Sequence, residues 1–197
     1  IELLIDSDML RKRVMELGLE LTKAYAKRTP ILIMVLHGAV PFLADLARCV
    51  DLEMEVDAIA LTRFDSRGTV SLALSPSTPL YGRDVIIVED IIDTGLTLRS
   101  IRAHLAAQLP SSISTVALLN KATRRLVDVP VEFSGFTIGD EFVIGYGMDY
   151  KGRFRNLRDI WAVLDLEVFA AEVPSVAGQV WPESDRVGAW ASQFQSN

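Results

Sequence analysis

Apolar residues recur at alternating steps of four and three from Leu10 to Ala24. This spacing predicts an amphipathic helix packed on a core, with Ser7 or Asp8 placed to cap its first turn. Further along, continuous or alternating apolar runs predict strands, several of them buried on both faces. The predicted strands span residues 31–36, 56–62, 85–88, 114–119, 133–138 and 160–166.

Two of these strands lead through a glycine-containing loop into a helix. The first ends at His37-Gly38, and Pro41 suits the first turn of the helix that follows. The second is followed by Gly95 and then by apolar residues at helical spacing from Leu98 to Leu109. In an open parallel sheet, ligands bind beyond the carboxyl ends of the strands. We therefore expect both loops on the ligand side of an α/β fold.

Composition narrows the class of protein. Half of the 197 residues are hydrophobic and 23% are charged, which is typical of a folded globular chain. The net charge of −6 argues against a general nucleic-acid binder, and no apolar run is long enough to cross a membrane. Cys49 is the only cysteine, so no intramolecular disulfide and no zinc cluster can form. The single cysteine makes a cytoplasmic setting the default expectation, and the start of the sequence shows no signal-peptide pattern.

The segment after the strand 85–88 carries the first set of chemical groups. The carboxylates of Glu89, Asp90 and Asp93 precede a turn that contains Gly95. Glycine lets the turn approach a ligand closely, and free N–H groups at a helix start can hold a phosphate. Carboxylates beside a phosphate would repel it, so we expect them to bind hydroxyls, a metal ion or a proton on the ligand. A ribose phosphate that carries a pyrophosphate leaving group and Mg²⁺ fits all of these. An ordinary acidic loop is the alternative. The hydroxyl donors in the turn are Thr94 and Thr97.

The string Glu-Asp-Ile-Ile-Asp-Thr-Gly at 89–95 resembles the phosphoribosyl pyrophosphate loop of type I phosphoribosyltransferases, most closely the purine-salvage branch that uses hypoxanthine and guanine. The resemblance implies that Glu89 and Asp90 hold the ribose hydroxyls. It implies that Asp93 lies near N7 of the purine as the general base. The 5′-phosphate cradle would consist of Thr94, Gly95, Leu96 and Thr97, with Leu96 where some relatives have lysine.

A second segment, residues 139–150, resembles the base-recognition segment of the same family. The resemblance implies that Phe142 stacks on the purine, that the backbone of Val143 binds the ring edge, and that Asp149 lies near the base and a second Mg²⁺. A glycine-rich hairpin with a core phenylalanine is the alternative. If the resemblance holds, Asp93 and Phe142 face one cavity. The implied Mg²⁺ ligands are Glu89, Asp90 and Asp149.

Three further sites follow from the resemblance. Lys121, just past a strand end, is implied to contact the 6-oxo group of the purine. Arg155 is implied to bind pyrophosphate by a bidentate fork. His37 and Gly38 correspond to the pyrophosphate loop, where Lys-Gly is common and where the family often has a non-proline cis peptide. A loop histidine bonded to backbone is the alternative for His37.

Residues 56–74 predict a β-hairpin arm around the polar stretch 63–68. The resemblance implies that this arm is a flexible lid over the active site. Family members often carry Ser-Tyr where this chain has Arg63-Phe64. Arg63 and Arg67 either contact pyrophosphate or are simply solvated, and the sequence leaves both open.

The implied fold is an α/β parallel twisted sheet flanked by helices, with a small hood and the lid. The phosphoribosyltransferase domain is predicted at 1–170, with its core at about 31–125. The hood would combine the N-terminal segment with about 130–170, followed by a C-terminal tail at 171–197. A homodimer or homotetramer is the family expectation, with 36–48 as a plausible contact.

The implied reaction transfers phosphoribose from phosphoribosyl pyrophosphate to hypoxanthine or guanine, with Mg²⁺. Lys121, Phe142 and Asp149 favour a 6-oxopurine but do not rank hypoxanthine, guanine and xanthine. A phosphoribosyltransferase for xanthine or another base therefore stays open. A non-catalytic regulator of the same fold, which binds nucleotide or nucleic acid, is the alternative from a different class.

Overall fold

The structure is a computed structural model that describes residues 1–61, 72–171 and 180. Besides a helical stretch at 166–171, nine strands, three α-helices and a short 3₁₀ helix have both of their ends within this part of the chain. In chain order they are β1 (Glu2–Ile5), α1 (Ser7–Ala24), β2 (Ile31–Val35), α2 (Val40–Cys49), β3 (Glu55–Leu61), β4 (Leu72–Leu74), β5 (Asp84–Ile92), α3 (Leu96–Ala106), β6 (Ser112–Asn120), the 3₁₀ helix Ala122–Arg124, β7 (Phe133–Thr137), β8 (Phe142–Ile144) and β9 (Ile160–Val163).

A six-stranded sheet in the order β4-β3-β2-β5-β6-β7 forms the centre of the fold. The pairs β2–β3, β2–β5, β5–β6 and β6–β7 are parallel, and only the edge pair β3–β4 is antiparallel. The run 85–88 is predicted as a buried central strand and 114–119 as another apolar strand, and both lie in interior strands of this sheet, β5 and β6. The prediction of an α/β fold with a mostly parallel sheet is confirmed.

Helices cover both faces of the central sheet. On one face, α1 and α2 bury Leu10, Leu17 and Phe42 against Leu32 of β2. On the other face, α3 buries Ile101 and its neighbours against residues such as Ile31 and Ile33. Successive β2 side chains thus enter opposite cores, which is why this strand is apolar throughout.

A second, three-stranded antiparallel sheet has the order β1-β9-β8. It joins strands from near both ends of the described chain, as expected for the hood. In its register, Leu3 lies opposite Trp161 on one side of β9, and Phe142 lies opposite Val163 on the other. This small sheet therefore fixes the position of Phe142. The domain limits and the tail stay predictions.

Two predicted element boundaries at helix α1 and strand β9 were wrong. The N-cap of α1 is Asp6 rather than Ser7 or Asp8, because its Oδ1 accepts from the backbone N–H groups of residues 8 and 9. The last strand ends at Val163 rather than at 166. There Asp165 accepts from the N–H groups of residues 167 and 168, which is the geometry of a helix start.

The boundaries around β5 and α3 also differ from the prediction. Strand β5 runs to Ile92, since its ladder with β6 continues to the pair Ile92–Asn120. Glu89 and Asp90 therefore lie on the strand and not in a loop. Helix α3 ends at Ala106, so Leu109 is exposed instead of completing the apolar stripe.

The predicted arm begins with the antiparallel pair β3–β4. Residues 62–71, including Arg63 and Arg67, lie outside the described residues, as does most of the 171–197 segment. The lid and its arginines therefore stay predictions. Among the described helices, none combines the length and the apolar character that a membrane crossing requires.

Candidate active site

Three parallel strands end at the same edge of the central sheet and carry the predicted site residues. Strand β2 leads into the loop with His37 and Gly38, β5 into Asp93, and β6 into Lys121. Because β2 pairs with β5 and β5 with β6 in parallel, their carboxyl ends lie side by side. This is the edge where open α/β sheets bind ligands.

A cavity of about 210 Å³ lies at this edge, between the central sheet and the small sheet. Asp93 and Phe142, which come from different sheets, face it together. Phe142 is 37% exposed, so a large part of its ring remains open to a ligand. The cavity is lined by Asp90, Ile91, Asp93, Lys121, Phe142, Val143, Met148 and Asp149.

The two carboxylates near the C-terminal end of β5 differ in their surroundings. The side chain of Glu89 is 6% exposed, and its Oε2 is buried without a hydrogen-bond partner within the described chain. Burial, with the neighbouring charge of Asp90, raises the pKa of Glu89 well above its ordinary value. Burial also raises the pKa of Asp90 to about 6, although the N–H of Ile91 and the charge of Arg155 act to lower it. Both groups are poised to bind a partner that supplies donors or positive charge.

The loop after β2 lies directly against Asp90. A Cβ at Gly38 would overlap the Asp90 carboxylate, and a Cβ at Gly147 would overlap the carbonyl oxygen of Gly38. The peptide bond between Leu36 and His37 is cis, as the resemblance implied for this position. The His37 side chain is exposed and does not line the 210 Å³ cavity. The loop thus brings backbone, rather than a fixed cation, next to the carboxylate.

Lys121 is buried at the end of β6, with 6% of its surface exposed. Its Nζ donates to the carbonyl oxygen of Glu141 at 2.6 Å, with a longer contact to that of Asp140 at 3.4 Å. An ammonium group has three donors, so one remains to be directed at a ligand in the cavity. Lys121 therefore ties the start of β8 to the central sheet at the point where the two sheets enclose the cavity.

The Arg155 guanidinium is engaged by the protein. Its Nη2 lies 2.7 Å from Oδ1 of Asp149, and its Nη1 donates to the carbonyl oxygen of Gly147 at 2.6 Å. The two guanidinium nitrogens that the resemblance assigns to pyrophosphate thus already contact residues of the loop that contains Arg155. A pyrophosphate would have to compete with Asp149 for this guanidinium.

Arg124 and Arg125 contact the Asp93 loop, and sequence reasoning assigned neither a role. Nε of Arg124 donates to Oδ1 of Asp93 at 2.8 Å, and Nη1 of Arg125 donates to the Asp93 carbonyl oxygen at 2.8 Å. The available signal was their position, directly after Lys121 at a strand end. Both arginines, with Thr94, line a neighbouring cavity of about 560 Å³.

The turn after Asp93 leads directly into α3. Gly95 has φ = +84°, a conformation that residues with a side chain rarely adopt, and Leu96 is the first residue of the helix. The N–H of Leu96 contacts the hydroxyl of Thr94 at 3.4 Å. A helix N-terminus reached through such a turn presents its first N–H groups to an anion.

Metal binding at this edge depends on oxygen ligands. Within the described residues, no group of three or more His, Cys, Asp or Glu side chains is arranged to hold a metal ion. The side chains of Asp90 and Asp149 nevertheless face the same cavity, and Mg²⁺ is commonly bound by one or two carboxylates together with substrate phosphates. The donor set therefore fits Mg²⁺ that arrives with a phosphorylated ligand.

Comparisons with known proteins agree with this geometry. The family model described as "Phosphoribosyl transferase domain" matches residues 6–151. The chain is similar to the hypoxanthine-guanine phosphoribosyltransferase of Bacillus subtilis, with 41% identity over 79% of this chain and 89% of that protein. It is similar to the Escherichia coli hypoxanthine phosphoribosyltransferase, with 39% identity over 85% and 97%. A crystal structure of a Bacillus anthracis hypoxanthine-guanine phosphoribosyltransferase superimposes with a TM-score of 0.81 at 35% identity, over 83% of this chain and 99% of that chain.

Proposed function

Because this chain belongs to the phosphoribosyl transferase domain family, we propose that it is a hypoxanthine-guanine phosphoribosyltransferase of purine salvage. It transfers phosphoribose from phosphoribosyl pyrophosphate to hypoxanthine or guanine. The products are the nucleoside monophosphate and pyrophosphate. The single observation that carries the assignment to this site is that Asp93, Lys121 and Phe142 line one cavity.

The purine would occupy the cavity between the two sheets. Phe142 would stack on its face, and Lys121 would donate to the 6-oxo group. The backbone of Val143 would bind the ring edge, and Asp149 would lie near the base. The support for these roles is that all four residues line the cavity and that the buried Lys121 ammonium is anchored beside β8.

The activated sugar would lie along the end of β5. Glu89 and Asp90 would accept hydrogen bonds from the ribose hydroxyls, which the unpartnered Oε2 of Glu89 and the position of Asp90 at the cavity support. The pyrophosphate would lie against His37, Gly38 and Arg155, once Arg155 has exchanged its protein partners. The 5′-phosphate would be held by Thr94, Gly95, Leu96 and Thr97 at the start of α3.

Asp93 would act as the general base. The N9 lone pair of the purine forms a bond to C1′ of the ribose, and the bond from C1′ to the pyrophosphate oxygen breaks. The proton on N7 passes to the Asp93 carboxylate, which removes the positive charge that develops on the purine. Pyrophosphate leaves with the electron pair of the broken bond.

Mg²⁺ is the cofactor in this proposal, with Glu89, Asp90 and Asp149 as its ligands. When bound, it would neutralise charge on pyrophosphate and make it a better leaving group. The unpartnered Oε2 of Glu89 and the position of Asp90 and Asp149 at the cavity support this assignment.

A direct assay tests the function. The protein is incubated with Mg²⁺, phosphoribosyl pyrophosphate and hypoxanthine, guanine or xanthine in turn, and nucleotide and pyrophosphate are measured. We expect inosine or guanosine monophosphate, in equal amounts with pyrophosphate. Product from xanthine alone, or from another base alone, would instead assign the chain to that base. Nucleotide binding without any product would make it a non-catalytic regulator.

Three further proposals concern the binding partners, the oligomeric state and the cellular location of the protein. The substrates are small molecules, and the net charge of −6 supports the absence of a nucleic-acid partner. A homodimer or homotetramer, with a contact through residues 36–48, and a cytoplasmic location stay predictions. Size-exclusion chromatography with light scattering measures the oligomeric state.

A further inference from the structure

Arg124 holds one oxygen of the proposed general base. Its Nε donates to Oδ1 of Asp93 at 2.8 Å, from the 3₁₀ helix that follows Lys121. We propose that Arg124 is a positioning residue for the transfer reaction, which sets the carboxylate of Asp93 so that the other oxygen faces the purine. This inference rests on the proposed function, because Arg124 can position a general base only if Asp93 accepts the purine proton.

The two oxygens of Asp93 have different surroundings. Arg124 occupies Oδ1, whereas no hydrogen bond from the described part of the chain reaches Oδ2. The final torsion of an aspartate side chain is broad and roughly two-fold, so without a fixed partner the carboxylate samples many orientations. A base that is held at one oxygen presents the other in a single direction, which lowers the entropic cost of reaching the reactive geometry.

The backbone of the same loop is held by other residues. Arg125 donates to the carbonyl oxygen of Asp93, and the N–H of Leu126 donates to that of Thr94 at 3.0 Å. A second nitrogen of Arg125 donates to the Asn120 side chain. Replacement of Arg124 therefore leaves the main-chain anchors of the loop in place, and its effect falls on the carboxylate.

The ion pair itself contributes little to stability. The side chains of Arg124 and Asp93 are 46% and 44% exposed, and pairs of this kind are weak in water. A role in folding would therefore predict a small effect on both stability and rate. A positioning role predicts a loss of turnover that is much larger than the loss of stability would explain.

The test uses Arg124→Gln in two backgrounds, wild type and Asp93→Asn. In the wild-type background we expect kcat to fall about fivefold to tenfold, which lies within the range of direct side-chain coupling. The KM for phosphoribosyl pyrophosphate should stay within about twofold, since the phosphate turn keeps its anchors. In the Asp93→Asn background the same substitution should have almost no further effect, because the carboxylate it positions is absent.

Two further variants sharpen the result. Arg83→Gln is the matched control, because Arg83 forms a similar surface pair with Glu55, at 2.6 Å, at the opposite edge of the sheet. It should leave kcat unchanged. Arg124→Lys keeps a cation that can donate to Oδ1, so it should recover part of the lost kcat.

Two outcomes overturn the positioning role: an unchanged kcat for Arg124→Gln, or an equal loss in both backgrounds. Neither would affect the proposed function, which the wild-type protein tests by itself. If the wild-type protein makes no nucleotide from any base, it is the proposed function that fails.

Discussion

Gly38 and Asp90 are in direct contact: a Cβ at position 38 would overlap the carboxylate of Asp90. The two residues belong to different strand ends, since Gly38 follows β2 and Asp90 lies on β5. The absence of a side chain at 38 is therefore what lets the carboxylate point into the cavity. A side chain added to the loop after β2 at position 38 would therefore displace the acidic end of β5.

Gly38→Ala should lower kcat/KM for phosphoribosyl pyrophosphate by about 10²-fold, because it moves a group that would bind the substrate. Steady-state kinetics measures the change. Gly82→Ala is the matched control: position 82 has φ = +69° but no atom within 4 Å of an added Cβ. That variant should lose about 1 kcal/mol of stability and keep its kinetic constants. A fully active Gly38→Ala would show that the position of Asp90 is unimportant.

Asp93→Asn should lower kcat by about 10²- to 10⁴-fold, which is the usual contribution of a general base. The amide cannot accept the N7 proton but has nearly the same shape, so binding of phosphoribosyl pyrophosphate should persist. Stopped-flow or steady-state assays and calorimetric titration measure the two properties. Asp51→Asn, at an exposed position beyond α2, is the control and should be fully active. Near wild-type turnover in Asp93→Asn would refute the base role.

Phe142→Ala should raise the KM for hypoxanthine or guanine about 5- to 150-fold, which corresponds to the loss of one base–aromatic stack. The Phe142 and Tyr150 rings are perpendicular, with centroids 6.1 Å apart, and the 37% of Phe142 that is exposed is the part available to a purine. The KM for phosphoribosyl pyrophosphate should change little. Tyr81→Ala removes an aromatic side chain that is 77% exposed, at the far edge of the sheet, and should change neither constant. Equal effects on both substrates would argue against stacking.

Asp57 on β3 predicts a pH-dependent contribution to stability. Its carboxylate accepts from the backbone N–H groups of Ala58, Ser77 and Thr78, at 2.7 to 2.8 Å. Burial acts to raise the pKa of Asp57, but these hydrogen bonds outweigh it, and the pKa lies below its ordinary value of 3.8. The contribution is therefore complete above the pKa of the unfolded chain and is lost as the pH falls through the lower pKa of the folded protein.

Asp57→Asn should lower the free energy of unfolding by about 1 kcal/mol near neutral pH, since the amide oxygen replaces the charged acceptor only partly. Urea denaturation at several pH values measures this difference. It should be constant above about pH 5 and shrink below about pH 4, where the wild-type carboxylate also becomes neutral. A difference that does not change with pH would contradict the assignment.

The positions of strands and helices could be predicted because they depend on local periodicity. The runs 31–36 and 85–88, which became β2 and the centre of β5, are apolar at every position, and this indicates burial on both faces. The end of β5 could not be predicted in this way. Two adjacent carboxylates favour a loop by local rules, and only the ladder with β6 keeps Glu89 and Asp90 in the strand.

Six of the eight residues that line the cavity could be named as site residues from the sequence, all but Ile91 and Met148, but the side-chain contacts among the site residues could not be predicted. Lys121, Phe142 and Asp149 lie in recognisable segments, and the fold brings them to one cavity. The contact of Arg124 with Asp93 joins segments 31 residues apart in the chain, and the contact of Arg155 with Asp149 depends on how one loop folds back on itself. Such pairs depend on side-chain directions that exist only after the sheets have assembled.

The β1-β9-β8 sheet has a consequence for synthesis on the ribosome. Leu3 is translated 158 residues before its partner Trp161. At ordinary elongation rates this delay lasts roughly 10–30 s. The central sheet can form in that interval, whereas the wall that carries Phe142 is completed at the end. In a nascent chain, the end of β5 can therefore pair with β6 before β9 is available to pair with β8 and fix the position of Phe142.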